Sequence, residues 1–389
     1  MSHQPIVLEL IDLIDRNKWQ ETFEEAIKKA REDPNAVDDL NSENIKDLKS
    51  FFKFIDSYVT WIPMTAADRD IPLKKLSIFY FILDKQPVID LQTSVTEKKD
   101  ERTELSDWVV KFANSLGTHM DSPDSISPSS IKTFRNNKDY SLHEYIPDNW
   151  QSFNEFFARR VKKQYRPITT EQKAIASPCD AIYDGRWSIA SNGEVTFAKK
   201  SQSINFKGIT WKISELLDDS QYRDEFNGGD FMHAFLLPHN YHRVHAPVGG
   251  KVVEVKTIPG NVYLEVGSKK HEGITPIRRM PSGDGNDVDA QDNPGYQWNQ
   301  VRGLIVFDTS KDTDLNIGYV ALFAVGMAQI SSVVTSVTAG DQVGKGDEIG
   351  LIKYGGSDYV LVFQKDKIDF SKAQQVFYPM GKSLNIYGK

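Results

Sequence analysis

Near its C-terminus the sequence reads Tyr354-Gly355-Gly356-Ser357-Asp358-Tyr359, followed by the apolar run Val360 to Phe363. Two glycines allow positive φ angles and a close approach to the Gly356 carbonyl, so Ser357 follows a bare, turn-prone peptide. Between two strand-like segments, such a pattern is typical of a hairpin connection. The stretch alone therefore predicts a turn leading into a strand, and any chemistry at Ser357 depends on residues upstream.

The composition is that of an ordinary soluble protein. The chain has 389 residues, of which 39% are apolar and 26% charged, and a net charge of −7, which is long enough for two domains with a sizeable core. Basic and acidic residues are well mixed, so no patch indicates nucleic acid or an anionic membrane. A single cysteine, Cys179, fits a reducing compartment. Without a signal-peptide pattern or a run of roughly 18 apolar residues, we expect a cytoplasmic protein with no stable membrane anchor.

Helical periodicity dominates residues 1–140. We interpret them as a helical N-terminal domain that has a packing and shielding role and no chemistry of its own. The predicted helices cover Ile6 to Arg31, Ser42 to Ile62, Leu73 to Leu83, and Leu105 to Leu116, the last ended by Gly117. The Ser- and Pro-rich stretch from Asp121 to Ser130 is predicted to be a linker.

Residues 141–389 are predicted to form a β-rich domain with flanking helices, because short apolar runs alternate there with Gly, Pro and Asp turns. The clearest predicted strands are Val195 to Phe197, Gly250 to Ile258, Val301 to Phe307, Tyr319 to Val325 and Ile330 to Val337. A helix is expected from Phe153 to Arg160, and a surface loop from Pro281 to Pro294. Two similar segments, 245–255 and 338–352, suggest a barrel-sandwich. The predicted class is α+β.

A barrel-sandwich fold does not determine the function, since lipoyl and biotinyl carriers, zinc peptidases and decarboxylases all have it. A lipoyl or biotinyl carrier needs a lysine in a modification motif at a hairpin tip, and neither Lys251 nor Lys345 has one. A zinc site is the other alternative, because His239, His242 and His245 are spaced as on one helical face. Pro247 and the surrounding β pattern oppose a helix there, so we expect no metal.

Four motifs resemble, in chain order, those of the phosphatidylserine decarboxylase family of pyruvoyl-dependent enzymes. They are Ser177-Pro-Cys-Asp180, Leu237-Pro-His-Asn-Tyr-His242-Arg-Val-His245-Ala-Pro, the strand end Val325-Gly326-Met327, and Gly355-Gly356-Ser357. The resemblance runs from Phe153 to Lys389 and includes Phe206-Lys207-Gly208 and a short helix at Ser214 to Leu217. There are two departures. Ala181 stands where the family commonly has Gly, and Asp358 stands where a small hydroxyl residue is usual.

The resemblance implies that the chain cuts itself between Gly356 and Ser357. A serine hydroxyl is a weak nucleophile that needs a base and a group orienting that base, and the family pattern assigns Ser357, His245 and Asp180. Residue 357 would become a pyruvoyl group, the cofactor, on a fragment of residues 357–389. That group forms a Schiff base with the substrate amine and accepts the electrons released with CO2. His242 matches the family position associated with protonation of the product.

The expected substrate is a free, aromatic L-amino acid, with tryptophan favoured, because the helical module resembles that of the soluble branch including fungal L-tryptophan decarboxylase. Phe235, Phe323 and Tyr354 are candidates to surround an aromatic ring. The alternative is a phosphatidylserine decarboxylase that makes phosphatidylethanolamine. A remoter alternative is an uncleaved, non-catalytic barrel-sandwich binding protein. The expected partners are the substrate and the chain's own cleaved fragment, and an oligomer is compatible with the sequence.

Overall fold

A computed structural model of the chain describes residues 3–66, 70–94, 101–197, 209–276, 296–311, 315–326 and 333–389. The predicted surface loop at 281–294, the stretch 206–208 and Met327 lie outside the described residues.

The first half of the chain is helical. The α-helices are α1 (Pro5–Asn17), α2 (Gln20–Glu32), α3 (Val37–Ser42), α4 (Leu48–Val59), α5 (Ile71–Leu83), α6 (Glu104–Met120), α7 (Pro128–Asn136), α8 (Phe153–Phe157) and, later, α9 (Ile213–Leu217). The single helix predicted from Ile6 to Arg31 is wrong, since α1 and α2 are separate helices. Lys18 adopts a left-handed φ of 58° and ends α1, so the apolar periodicity continues across a break.

Two other helix boundaries also differ from prediction. Helix α4 begins only at Leu48, since the Asp47 side chain accepts a hydrogen bond from the Ser50 N–H in a capping box. Helix α6 runs through Gly117, which is buried within it, and ends at Met120. The predicted linker from Asp121 to Ser130 contains the start of α7, which Ser127 caps.

Most strands lie after residue 173 and pair in antiparallel fashion. They are β1 (Ala174–Ala176), β2 (Ala181–Ser188), β3 (Glu194–Phe197), β4 (Ile209–Lys212), β5 (Asp230–Phe235), β6 (Arg243–His245), β7 (Gly250–Ile258), β8 (Val266–Lys269), β9 (Gly273–Pro276), β10 (Val301–Asp308), β11 (Tyr319–Gly326), β12 (Val333–Thr335), β13 (Gln342–Val343), β14 (Glu348–Ile352), β15 (Gly356–Phe363), β16 (Ile368–Asp369), β17 (Phe377–Tyr378) and β18 (Ser383–Gly388). The α+β class is confirmed.

The largest sheet has the strand order β13-β7-β10-β11-β15-β5-β2-β17, so β15 occupies its interior. A smaller sheet, β12-β14-β6, packs against it through apolar side chains such as Val244, Ile349 and Ile305. The two similar segments pair with each other, since β7 lies beside β13 and β6 beside β14. Within the described residues the large sheet ends at β13 and β17 and does not close into a barrel.

The helices pack directly on the β-rich part of the chain. Their apolar core also contains Phe153, Val262, Leu264 and Tyr354, the last of which precedes the predicted cleavage site by two residues. Among the described residues, no helix combines the length and apolarity needed to span a bilayer.

Candidate active site

The predicted cleavage site lies at the start of β15, inside the large sheet. Gly356 pairs with Gly326 of β11, whereas Asp358 pairs with Val325, so Ser357 is an extra residue in the ladder. Such bulges are frequent beside active sites because they locally interrupt regular pairing. Gly355 has a φ of 97°, a conformation that favours glycine. The glycines do not form a hairpin, because the strands on either side, β14 and β15, belong to different sheets.

His245 ends β6 and is nearly buried, with 8% of its surface exposed. Its Nδ1 lies 2.7 Å from the Gly346 carbonyl oxygen, which accepts only, so Nδ1 carries the ring proton. Its Nε2 lies 2.9 Å from the Tyr241 hydroxyl, which therefore donates to it. Burial lowers the pKa of His245. The neutral ring thus keeps a basic lone pair on Nε2, which suits a proton acceptor.

Asp180 is buried beside the strand that carries His245. Its two carboxylate oxygens accept hydrogen bonds from Nε and Nη2 of Arg166, at 2.7 and 2.5 Å. One of them also accepts from the Met380 N–H at 2.8 Å. No hydrogen bond joins Asp180 to His245 in the described part of the chain. The link runs through the main chain, because the His245 N–H donates to the Pro178 carbonyl.

His242 is fully buried, and its ring stacks on Phe157 with the ring centroids 4.0 Å apart. Its Nε2 donates to the Leu237 carbonyl at 3.0 Å. Nδ1 has no hydrogen-bond partner among the described residues, an uncommon state for a buried polar atom. Burial, reinforced by the positive charge of Arg159, lowers the pKa of His242 to about 3, so the ring is neutral at ordinary pH.

His239, the third histidine of the zinc alternative, has a different neighbour. Its Nδ1 lies 3.9 Å from a carboxylate oxygen of Asp70, while His242 and His245 bond to the chain as described above. The three rings do not share a helical face, since this segment runs through a loop into β6. No group of three potential ligands capable of holding a metal occurs among the described residues.

Tyr354 connects the cleavage segment to the helices. Its hydroxyl donates to the Pro72 carbonyl at 2.9 Å and lies 3.3 Å from the Tyr58 hydroxyl. Its N–H donates to the Asn154 side chain at 3.0 Å. Tyr354 is thus a core residue rather than an open pocket wall.

Phe235 and Phe323, the two other aromatic candidates, are also buried. Phe235 pairs with Asp358, and Phe323 pairs with Val360. Both rings therefore belong to strands beside the cleavage site.

Sequence reasoning missed several residues around the candidate site. Arg166 and Tyr241 bind Asp180 and His245, and Pro72 binds Tyr354. The Arg166 contact spans 14 residues and the Pro72 contact 282, so neither has a signal in local periodicity. Tyr241 lies next to His242 within the quoted histidine motif, but the sequence pattern assigned it no role.

Comparison with known proteins identifies the family. The family model for phosphatidylserine decarboxylase matches residues 153–384. A phosphatidylserine decarboxylase proenzyme of Clostridium perfringens strain SM101 is 30% identical over 280 residues, covering 71% of this chain and 83% of that protein. The proenzyme of Ruminiclostridium cellulolyticum is 29% identical over 245 residues, covering 62% of this chain and 70% of that protein.

A second activity occurs among the similar proteins. An L-tryptophan decarboxylase of Psilocybe cubensis is 26% identical over 223 residues, covering 56% of this chain and 47% of that protein. The matched region includes all four motifs on which the resemblance rests, since they lie between residues 177 and 357. The chain therefore belongs to the phosphatidylserine decarboxylase family and is an enzyme of the carboxy-lyase class.

Proposed function

We propose that the chain is a self-cleaving decarboxylase whose pyruvoyl group is made from Ser357. The position of Ser357 carries this proposal, because it is the extra residue of a bulge in an interior strand, directly after two glycines, in a family whose similar members are named proenzymes. Cleavage after Gly356 would give residues 1–356 and a fragment of 33 residues (389 minus 356).

The proposed cleavage balances with one water molecule. The Ser357 oxygen bonds to the Gly356 carbonyl carbon, the carbon–nitrogen bond breaks, the hydroxyl proton passes to a base and the nitrogen gains a proton. The resulting ester then loses the Gly356 carboxylate and the α-proton of residue 357 by elimination, the enamine that remains becomes an imine, and water replaces the nitrogen, which leaves as ammonia. The products are a Gly356 carboxyl terminus and a pyruvoyl group at position 357.

His245 is the proposed base, since its Nε2 carries a lone pair, which accepts a hydrogen bond from the Tyr241 hydroxyl. Asp180 has a positioning role in this proposal. Together with Arg166 it fixes the turn that contains Pro178, whose carbonyl holds the main chain of His245. The orienting function that the resemblance assigns to Asp180 would thus act through the backbone rather than by a direct carboxylate–imidazole bond.

His242 adjoins the strand that leads to the cleavage segment, since its carbonyl accepts a hydrogen bond from the Ile352 N–H. Nδ1 of His242 is a buried atom without a partner among the described residues, available to hold or pass a proton. Once formed, the group supplies an electron sink for the bond to the departing carboxylate. The low pKa of His242 means that it gains a proton only when negative charge develops close by. We propose that Nδ1 takes a proton from solvent water at that moment and passes it to the carbon from which CO2 has left.

We propose phosphatidylserine as the first substrate to test. The matching family model and two of the three similar proteins cited above are named phosphatidylserine decarboxylases. A free aromatic amino acid, tryptophan in particular, is the second candidate. It is supported by the Psilocybe cubensis relative and by helices that cover the cleavage segment at Tyr354. The preference for tryptophan drawn from the sequence stays a prediction, with less support than the phospholipid.

We also propose that residues 1–140 act as a distinct helical module and residues 141–389 as the decarboxylase domain. Helices α1 to α7 fall in the first part, and the strands fall in the second. The shared core at Tyr354 suggests that the module supports the cleavage segment as well as covering it.

Intact mass after denaturation tests the proposed function most directly. The purified protein should give two masses, and the smaller should equal residues 357–389 with a pyruvoyl group in place of serine. A single mass equal to the whole chain would contradict self-cleavage and favour the non-catalytic binding protein.

A further inference from the structure

A buried histidine lies between two carboxyl groups immediately beside the proposed cleavage site. His233 Nδ1 is 3.1 Å from Oδ2 of Asp184, and its Nε2 is 3.4 Å from Oδ2 of Asp358. All three side chains are at most 3% exposed. We call these residues the acid–histidine cluster. Asp358 is bonded directly to residue 357, so the cluster is one peptide link from the proposed pyruvoyl position.

Three adjacent strands of the large sheet bring the cluster together. His233 on β5 pairs with Val360 of β15 on one side and with Gly185 of β2 on the other. Asp358 lies two residues before Val360 and therefore on the same face of the sheet. The register of β2 shifts between Tyr183 and Gly185, so Asp184 is an extra residue there. Both ends of the cluster thus adjoin a bulge, at position 184 and at position 357.

Stability alone does not account for this arrangement. Burial by itself lowers the pKa of His233, but hydrogen bonds to Asp184 and Asp358 outweigh it and raise the pKa to about 9. The ring is therefore a buried cation at neutral pH. Apolar residues of similar volume often stabilise an interior at least as well as buried ionic groups. The same face already presents Phe231, Val360 and Val362, so an apolar cluster would have continued the existing core.

The location of the cluster indicates a task at residue 357. Self-cleavage requires the Gly356–Ser357 peptide to be held in one orientation relative to the attacking hydroxyl, and small misplacements are costly in rate. The two ladder pairs that flank residue 357 are Gly326 with Gly356 and Val325 with Asp358. Residue 357 itself is the extra residue between them. Its main chain is thus fixed chiefly by the residues on either side.

We propose that His233 and Asp184 are positioning residues for self-cleavage. They hold the Asp358 side chain in the interior and, through it, set the main chain of residue 357 at the bulge. The inference rests on the proposed self-cleavage. It also gives a physical reason for the departure at Asp358, since an acid at this position acquires a cationic partner in His233 on the neighbouring strand.

The test measures the rate at which newly made chains release the C-terminal fragment. Wild type, His233→Gln, Asp358→Asn and the double variant are synthesised in a cell-free system, and the fragment is followed on denaturing gels. Each single variant should cleave about 10-fold more slowly or worse. The double variant should be no slower than the slower single variant, because both changes break the same link. Single effects that multiply in the double variant, or a wild-type rate in His233→Gln, would overturn the proposal.

A matched control separates positioning from loss of stability. Val362→Ala removes buried volume from the same strand and the same face as Asp358, without touching the cluster. Unfolding temperatures of His233→Gln and Val362→Ala are compared in chains that also carry Ser357→Ala, so that all remain uncut. We expect Val362→Ala to lower the unfolding temperature relative to the chain with Ser357→Ala alone and yet, in the cleavable chain, to cleave at the wild-type rate. Equal slowing of cleavage by Val362→Ala and His233→Gln at equal loss of stability would make the cluster merely structural.

The controls also keep this inference distinct from the proposed function. If wild type itself releases no fragment, the proposed self-cleavage fails. If wild type cleaves and His233→Gln cleaves equally fast, only the role of the cluster fails.

Discussion

The proposed self-cleavage gives Ser357 and His245 separate tasks, one as nucleophile and the other as base. Ser357→Ala removes the attacking oxygen, and His245→Ala removes the Nε2 lone pair that faces the Tyr241 hydroxyl. Both variants should remain single chains without decarboxylase activity, as measured by denaturing gels and by CO2 release.

Ser371→Ala is the control for the serine change, because Ser371 is exposed and lies within the same C-terminal fragment. It should cleave and react as wild type does. Release of the fragment by Ser357→Ala would show that another group makes the attack.

His242 is expected to matter for turnover and not for cleavage. His242→Ala leaves the contacts of His245 in place, so the fragment should still form, whereas turnover should fall by about 10²-fold or more if a proton donor is lost. His239→Gln changes the neighbouring histidine, which is partly exposed, and should leave both rates unchanged. Equal loss of cleavage in the His242 and His245 variants would contradict this division of tasks.

At the scale of elements, the segment between β14 and β15 contacts the helices through Tyr354. Tyr354→Phe removes the hydroxyl that donates to Pro72 and leaves that carbonyl without its bond. We expect the uncut Ser357→Ala chain to lose about 1 kcal/mol of unfolding free energy and the cleavable chain to release its fragment more slowly. Denaturant unfolding and fragment time courses measure the two effects.

Tyr319→Phe provides the comparison, since Tyr319 is a half-buried tyrosine at the start of β11, at the opposite end of that strand from Gly326. It should leave the cleavage rate unchanged. A wild-type cleavage rate in Tyr354→Phe would mean that the helices cover this segment without supporting it.

Elements with strong periodicity were predictable from the sequence. The bounds of β7 match the prediction, and those of α5 differ from it by two residues or fewer, because continuous apolar patterns and turn residues mark their ends. Helix α9, which the family resemblance implied, begins one residue earlier than expected. The break at Lys18 was not predictable, since the apolar period continues across it.

The candidate residues were found by motif, but their partners were not. The bond between Asp180 and Arg166 and the cluster around His233 depend on which strands adjoin and in what register. A single extra residue, such as Asp184 or Ser357, changes that register locally. Local sequence patterns do not contain this information.

At the scale of the whole molecule, two substrate classes are proposed, a phospholipid and a free amino acid. A direct comparison of their decarboxylation rates distinguishes them. CO2 release is measured from phosphatidylserine vesicles and from free L-tryptophan, L-tyrosine, L-phenylalanine and L-serine. We expect the phospholipid to react fastest, in line with the family match. A pocket for an aromatic ring would instead give tryptophan an advantage, worth about 25 cal/mol per Å² of buried apolar area.

The same panel run with Ser357→Ala is the control, because a chain without a pyruvoyl group has no electron sink. Faster CO2 release from free tryptophan than from the vesicles would favour a free aromatic amino acid as the substrate. Any release by Ser357→Ala would indicate a contaminating decarboxylase.

In the proposed self-cleavage, the interior position of β15 would keep the cleaved fragment bound to the rest of the chain. It pairs with β11 and β5 on either side, and β18 of the same fragment pairs with β1. The proposed cut before Ser357 would therefore change the molecularity of folding: an uncut chain folds in a unimolecular reaction, whereas a cut protein must reassemble from two separate molecules. After dilution from denaturant, the refolded yield of the mature protein should rise with its concentration, while that of Ser357→Ala should not. A concentration-independent yield for the mature protein would show that residues 1–356 fold alone. A yield that rises with concentration would mean that each molecule assembles efficiently only once, before it is cut. Unfolding of the cut protein would then be effectively permanent at low concentration.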